Sequence, residues 1–297
     1  MLFLLFSLLF FVEDAPEKEP SENAFEMAET EWRAKREASL KSENSWFNVS
    51  GLFWLEEGAN EFGTHADLRL RMPPHSTVER AGVIFRENEG VRFEMNRGQR
   101  ATVQGEPRSN GRLEVGEILS HNHLRMFLIE RGGRLALRIR DLRSSNFLDF
   151  KALDFYRPNE KFVIEAEFEP YDPPDKITIS TVINTELEMI IPGVISFTFK
   201  GKKYELLPTV ETLEDESYFI MLKDQTSGAS TYGGGRFLYV DPPVDGKVTL
   251  NFNRLINPPC AYTAFATCPL PPAQNWLDLA LEAGERNYKA HEDEVVK

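Results

Sequence analysis

The sequence predicts a mainly β protein built as two antiparallel β domains, sandwich or barrel in type, with short N- and C-terminal helices. Three observations carry this. From Ser45 onward apolar residues alternate, as where Leu135, Leu137 and Ile139 interleave with Ala136, Arg138 and Arg140. A period of two puts such residues on one face of a strand. Turn signals recur at short intervals: Glu57-Gly58, Phe62-Gly63, Met72-Pro73-Pro74, Asn88-Glu89-Gly90, Asn96-Arg97-Gly98, Ser109-Asn110-Gly111 and Arg131-Gly132-Gly133. Strands do not alternate with long helical stretches, which disfavours a parallel α/β sheet. At 297 residues, 41% hydrophobic and 27% charged, the chain has room for two domains of ordinary size.

Residues 1–12, MLFLLFSLLFFV, are apolar except for Ser7. That is shorter than the roughly 20 residues a membrane helix needs, and it matches a signal-peptide core in length, although no Lys or Arg precedes it. The expectation is an exported or membrane-tethered protein that meets the membrane only through this segment. It would be cytoplasmic if the segment is not a true signal. Residues 13–23 are acidic and read as a disordered linker. Asn23 to Lys41 read as a helix on the spacing of Phe25, Ala28 and Trp32, docked on the first domain. That domain spans 24–145, helix included.

The second domain, 146–290, contains strand candidates Ile177–Ile183, Leu187–Ile191, Ile195–Phe199, Tyr204–Leu207, Tyr218–Leu222, Arg236–Val240 and Val248–Phe252. Turns are expected at Pro192-Gly193, Lys200-Gly201 and Asp245-Gly246. A closing helix is expected from Ala273, with Trp276, Leu277, Ala280, Leu281, Ala283 and Gly284 on its apolar face. Residues 291–297 form a charged tail.

Formal net charge is −13, with glutamates crowded before residue 32. A nucleic-acid binder needs a basic stripe to replace phosphate counterions, and none is present, so nucleic acid is excluded as a partner. No cofactor motif or metal-ligand set is legible. Cys260 and Cys268 lack a nearby His, and zinc takes four ligands. They read as a disulfide or as simple buried cysteines. His121 and His123 read as surface residues of a turn. Gly233-Gly234-Gly235 precedes a strand rather than a helix, so a bulge or close backbone approach fits better than a phosphate cradle. Arg138, Arg140 and Asp141 are expected to join an ion-pair network with Glu165, Glu167 and Glu169.

The run Thr231–Trp276 is where a site would lie. Tyr232, Arg236, Asn251, Asn253, Asn257 and Asn275 could line a polar pocket beside Cys260. Alternatively, the asparagines satisfy backbone groups in a Pro-rich stretch that has no ladder of its own. Three functions follow: a binding or scaffold protein of the cell envelope with a small-molecule or protein partner, an enzyme using this polar site, or a phosphopeptide-binding module. A thiol pair opening onto a pocket shared by both domains would mark a site.

The segments WFNVSGLFWLEEGANEFG, RGGRLALRIRD, FKALDFYRPNEKFVIEAEFEPY, DQTSGASTYGGGRFL and NFNRLINPPCAYTAFATCPLPPAQNWLDLALEAGE resemble the family catalogued as domain of unknown function 1684, which carries no assigned activity. The sequence has Asn251 in Leu250-Asn251-Phe252-Asn253, where the family's pattern has aspartate. The order of elements from NEFGTHADLRLRMP to GRLEVGEILSHNHLRMFLIE also resembles a forkhead-associated sandwich. Thr64 stands where that family places a phosphate-contacting arginine after the glycine, here Gly63, and the Ser-x-x-His feature has no match.

Overall fold

The computed structural model describes residues 20–288. The apolar segment 1–12, most of the acidic stretch 13–23 and the tail 291–297 lie outside the described residues. No described helix is long and apolar enough to cross a membrane.

The first body is a β-sandwich. One sheet joins β1 (Val49–Trp54), β6 (Ala101–Val103), β7 (Glu106–Arg108), β9 (Leu119–His121), β10 (Leu124–Arg131) and β11 (Arg134–Asp141) in the order β1-β11-β10-β9-β6-β7. The other joins β2 (Gly58–Gly63), β3 (Leu70–Arg71), β4 (Gly82–Glu87), β5 (Gly90–Met95) and β8 (Asn110–Arg112) in the order β3-β2-β4-β5-β8. Alternate residues of both sheets, among them Phe62, Ile84, Phe93, Met126, Leu137 and Ile139, fill the space between them. The β10–β11 hairpin turns on Gly132 (φ 55°) and Gly133 (φ 67°). Both central residues of a type I′ turn need positive φ, which only glycine adopts without cost.

In the second body β12 (Val163–Ser180), β13 (Glu186–Phe199), β14 (Lys202–Leu206) and β17 (Lys247–Asn251) form a sheet in the order β14-β13-β12-β17. A separate ribbon pairs β15 (Tyr218–Leu222) with β16 (Arg236–Val240). The ribbon is apolar on both faces. Ile220, Leu222, Leu238 and Val240 enter the main core, while Phe219, Met221 and Phe237 enter a smaller cluster with Trp46 of the first body. A ribbon buried on both sides loses the simple apolar–polar alternation.

Several expectations are corrected. Pro192-Gly193 is not a turn, because β13 runs through it while β12 bulges opposite, between Pro170 and Asp175. A side chain at Gly193 would meet the Glu169 carbonyl. The closing helix is a single 3-10 turn, Ala273–Asn275. Beyond it the chain is extended: Leu277, Leu279, Leu281 and Ala283 are buried while Asp278 and Glu282 are exposed. Leu-Asp-Leu-Ala-Leu-Glu-Ala satisfies both periods. Backbone partners decide for the extended form, with Leu277 N–H donating to Lys223 O (2.8 Å), Gln225 N–H to Leu279 O (2.9 Å) and Glu285 N–H to Leu255 O (2.8 Å).

The N-terminal helix α1 (Pro20–Leu40) begins before Asn23, so the end of the acidic stretch is helical. It docks on the second body rather than on the sandwich. Trp32 packs edge-on to Phe155, Arg33 donates to Tyr156 O (2.8 Å) and Glu37 accepts from Leu153 N (2.8 Å). The periodicity of α1 fixes which face is buried but not which body receives it.

The arginine–glutamate network does not form. Glu165 pairs with Lys247. Arg138 lies over Trp46, and Arg140 lies over Phe127 and donates to Asn44 (2.9 Å). Nor is His121 a surface residue: it is buried, bonding Thr77 Oγ1 (2.6 Å) and the Arg100 carbonyl (2.7 Å), because the turn at Asn122 folds it back on the sandwich.

Candidate functional site: the cleft between the bodies

Most of the polar residues expected to line a pocket are spent inside the fold. Arg236 is fully buried. Its Nη2 donates to Asp224 Oδ2 (2.8 Å) and Leu281 O (2.8 Å), and its Nη1 to Ala283 O and to Glu285 O (3.2 Å). Three carbonyls at alternate positions of one extended segment thus converge on one guanidinium, a fixed fork that suits several acceptors at once. Burial works to lower its pKa, and Asp224 opposes that.

The buried asparagines act as backbone substitutes. Asn275 Oδ1 accepts from Leu207 N (2.8 Å), and its Nδ2 donates to Leu207 O (3.0 Å) and Met221 O (2.8 Å). Asn253 Oδ1 accepts from Asn159 N (2.9 Å), and its Nδ2 returns a bond to Asn159 O (3.0 Å). Each amide repeats the two-bond exchange of an antiparallel pair where no strand is available. Asn257 Nδ2 donates to Arg286 O (2.8 Å). Asn251 Nδ2 reaches the buried Glu29 of α1 (2.9 Å), which Arg254 also binds (3.1 Å). Tyr232 is half-buried, its hydroxyl donating to Cys260 O (3.3 Å). Gly235, at φ 95°, lies where a Cβ would come within 2.5 Å of Leu222 O, so the triple glycine marks a close backbone approach.

The cleft lies elsewhere, between the two bodies, and none of these six residues lines it. Its volume is about 780 Å³, with Trp46 and Arg131 contributed by the first body. The second body supplies the apolar residues Leu187, Met189, Phe219, Phe237 and Tyr239, and the acidic residues Glu188, Glu211, Asp215 and Glu216. Phe219 stands edge-on to Phe237 at 4.8 Å and stacks on Tyr239 at 5.0 Å, so the wall is one connected aromatic cluster. Lys176 pairs with Glu188 (2.8 Å), and Asp215 accepts from Glu211 N (2.8 Å) and Thr212 Oγ1 (2.6 Å).

Cys268 also lines this cleft, and Cys260 stands beside it with both thiols free. The Cys260 N–H donates to Cys268 Sγ at 3.2 Å. The neighbouring Cys260, with burial adding, pushes the Cys268 thiol up, while Cys268 and Arg138 pull Cys260 down. Of the pair, Cys268 lines the pocket between the two bodies and Cys260 does not. His65, His75, His121 and His123 do not line it, and the described residues contain no cluster of metal-ligating side chains. Nucleophilic catalysis would need a base within hydrogen-bond reach of the thiol. In the sandwich, Arg80, near Thr64, is already bound by Glu61 and Asp67.

Sequence reasoning missed the aromatic wall because strands apolar on both faces carry no face signal. It missed Glu29, Arg36 and Glu285 for a different reason, since charged residues are seldom assigned to an interior. A signal was nonetheless present. Glu285 continues the parity of Leu277, Leu279, Leu281 and Ala283, which places its carboxylate on the buried side.

Fold and site thus define a two-body β protein with an aromatic cleft between the bodies and the free thiol of Cys268 at its wall. Residues 148–286 match the family described as protein of unknown function (DUF1684), and the chain belongs to that family. An uncharacterised protein of Haloarcula marismortui, solved by NMR, is 31% identical over 46% of this chain and 77% of its own, with a TM-score of 0.41. The FHA-2 domain of a Mycobacterium tuberculosis ABC transporter is 20% identical over 28% of this chain and 77% of its own, with a TM-score of 0.24. The FhaA FHA domain, solved with the intracellular domain of Rv3910, is 19% identical over 30% and 86%, with a TM-score of 0.23. No curated protein matches the chain.

Proposed function

We propose that the protein is a binding protein whose ligand, a small molecule with an apolar body and a cationic end, occupies the cleft between its two bodies. The observation that carries this reading is the cleft itself. At about 780 Å³ it falls in the roughly 300–1,000 Å³ range of small-molecule sites, which are mainly apolar with a few placed polar groups. The aromatic wall offers stacking and the face of a ring to a cation. Glu211 and Glu216 add carboxylates to the lining of the same cleft. An envelope location belongs to the same reading and rests on the apolar segment 1–12.

The test is thermal stabilisation by phenylbutylamine against its anionic counterpart phenylbutyrate, on wild type, Tyr239→Ser and Glu211→Gln/Glu216→Gln. A ligand that binds only the folded state raises the midpoint by mass action. The amine should stabilise wild type and the anion should not, and both variants should show a reduced shift. Equal shifts with amine and anion, or wild-type shifts retained in both variants, would defeat the proposal.

A further inference from the structure

We propose that Cys260 and Cys268 are a reversible dithiol–disulfide pair, and that oxidation locks the loop by which the second body grips the first. The inference is independent of what the cleft holds. The two cysteines are already neighbours in space, with the Cys260 backbone N–H donating to Cys268 Sγ at 3.2 Å. Both sit in one apolar cluster with Ala266 and Trp46.

The loop between them makes the connection between the bodies. Thr263 Oγ1 donates to Val49 O (2.8 Å), Arg138 Nη2 donates to Thr267 Oγ1 (3.4 Å), and Tyr262 packs on Phe47 with ring centroids 4.7 Å apart. Closing the ring at Cys260 and Cys268 removes freedom from the segment that carries all three contacts.

The roles of the two thiols follow from their surroundings. Cys260 is half-buried and Cys268 is buried. Cys260 is the more exposed of the two sulfurs and lies near the Arg138 guanidinium, which favours its thiolate, so it is the attacking sulfur. The oxidant class is a low-molecular-weight disulfide. Cys260 thiolate attacks one of its sulfurs, the S–S bond breaks, and one small thiolate leaves. Cys268 then gives its proton to that thiolate and displaces the second small thiolate from the mixed disulfide. This second thiolate takes up from solvent the proton that Cys260 released on forming its own thiolate. The sum is two protein thiols plus one small disulfide giving one protein disulfide and two small thiols.

The experiment equilibrates the full chain in mixtures of hydroxyethyl disulfide and mercaptoethanol, alkylates with iodoacetamide, and counts adducts by mass spectrometry. The expected result is a single reversible transition from two adducts to none in the monomer, with a higher melting midpoint for the oxidised form. Cys268→Ser should trap the small thiol on Cys260. Two adducts at every ratio, loss of adducts only through disulfide-linked dimers, or an unchanged midpoint on oxidation would each overturn the proposal. The first and last of these readouts use wild type alone, so a variant that fails to fold does not shield it.

Discussion

Arg36 and Glu285, separated by 249 positions in the chain, form a buried ion pair with Nε 2.8 Å from Oε1. The other carboxylate oxygen accepts from Asn257 N (2.6 Å) and Tyr262 OH (2.8 Å). Burial acts to lower the pKa of Arg36, but Glu285 and Tyr262 outweigh it and the value is raised. Removing one partner of such a pair strands the other charge, at a cost of about 3–5 kcal/mol. Glu285→Gln should therefore lower the urea midpoint strongly. Adding Arg36→Met should recover part of that loss, a coupling that a double-mutant cycle measures.

Tyr262 makes this region sensitive to alkali. Burial, with Glu285 adding, raises its pKa well above the ordinary value of 10.0. A raised pKa means the folded state keeps a proton that the unfolded state releases. The stabilisation is thus complete below pH 10 and is lost as pH climbs towards the folded value. Denaturant midpoints measured on the alkaline side should fall with pH in wild type, and the fall should be shallower in Tyr262→Phe.

Arg236 holds an extended segment rather than a ligand. Arg236→Lys keeps the charge but cannot reach Asp224 and the carbonyls of Leu281, Ala283 and Glu285 together. The variant should lose about 3 kcal/mol or more, and limited proteolysis should release the chain beyond residue 276 first. Unchanged resistance at that segment would count against the clamp.

Asn275→Ala leaves both backbone groups of Leu207 and the Met221 carbonyl without their amide partner. Each buried orphan costs about 1–3 kcal/mol. Asn275→Asp keeps the acceptor for Leu207 N but sets a carboxylate oxygen against the Leu207 and Met221 carbonyls in a buried site, so at neutral pH it should destabilise at least as much as alanine in a chemical denaturation series.

Gly235→Ala should destabilise on two counts, the φ of 95° and the 2.5 Å approach of the new Cβ to Leu222 O. The loss should exceed the roughly 0.4–1 kcal/mol that a compatible glycine-to-alanine change contributes with the opposite sign. Alanine at Gly133, where no atom stands near the new Cβ, isolates the strain of positive φ alone.

The sandwich was readable because large apolar side chains alternate along its strands, so Leu135, Leu137 and Ile139 betray the core-facing side directly, although Ala136 and Arg138 opposite them are buried too. The ribbon Tyr218–Leu222 and Arg236–Val240 was readable as strand but not as a wall, since Phe219 and Phe237 sit among residues that are apolar on both sides. Leu277 to Ala283 was ambiguous because its residues satisfy two periods. Only the backbone of Lys223, Gln225 and Leu255, distant in sequence, resolves it. The asparagines at 253 and 275 were legible as polar residues in a Pro-rich stretch. That they replace ladder hydrogen bonds depends on Asn159 and Leu207, which no local pattern connects to them.

The docking of α1 has a consequence for modularity. The stretch shared by descent, residues 148–286, contains Asn251, Arg254 and Glu285, whose buried partners Glu29 and Arg36 lie far upstream of it. Excised at those borders, the fragment would present an uncovered acid, an unopposed base and the aromatic ledge left by Trp32. The stretch the family model matches and the residues that cover its buried charges therefore have different edges here, and the helix before residue 41 belongs to the second although it lies outside the first.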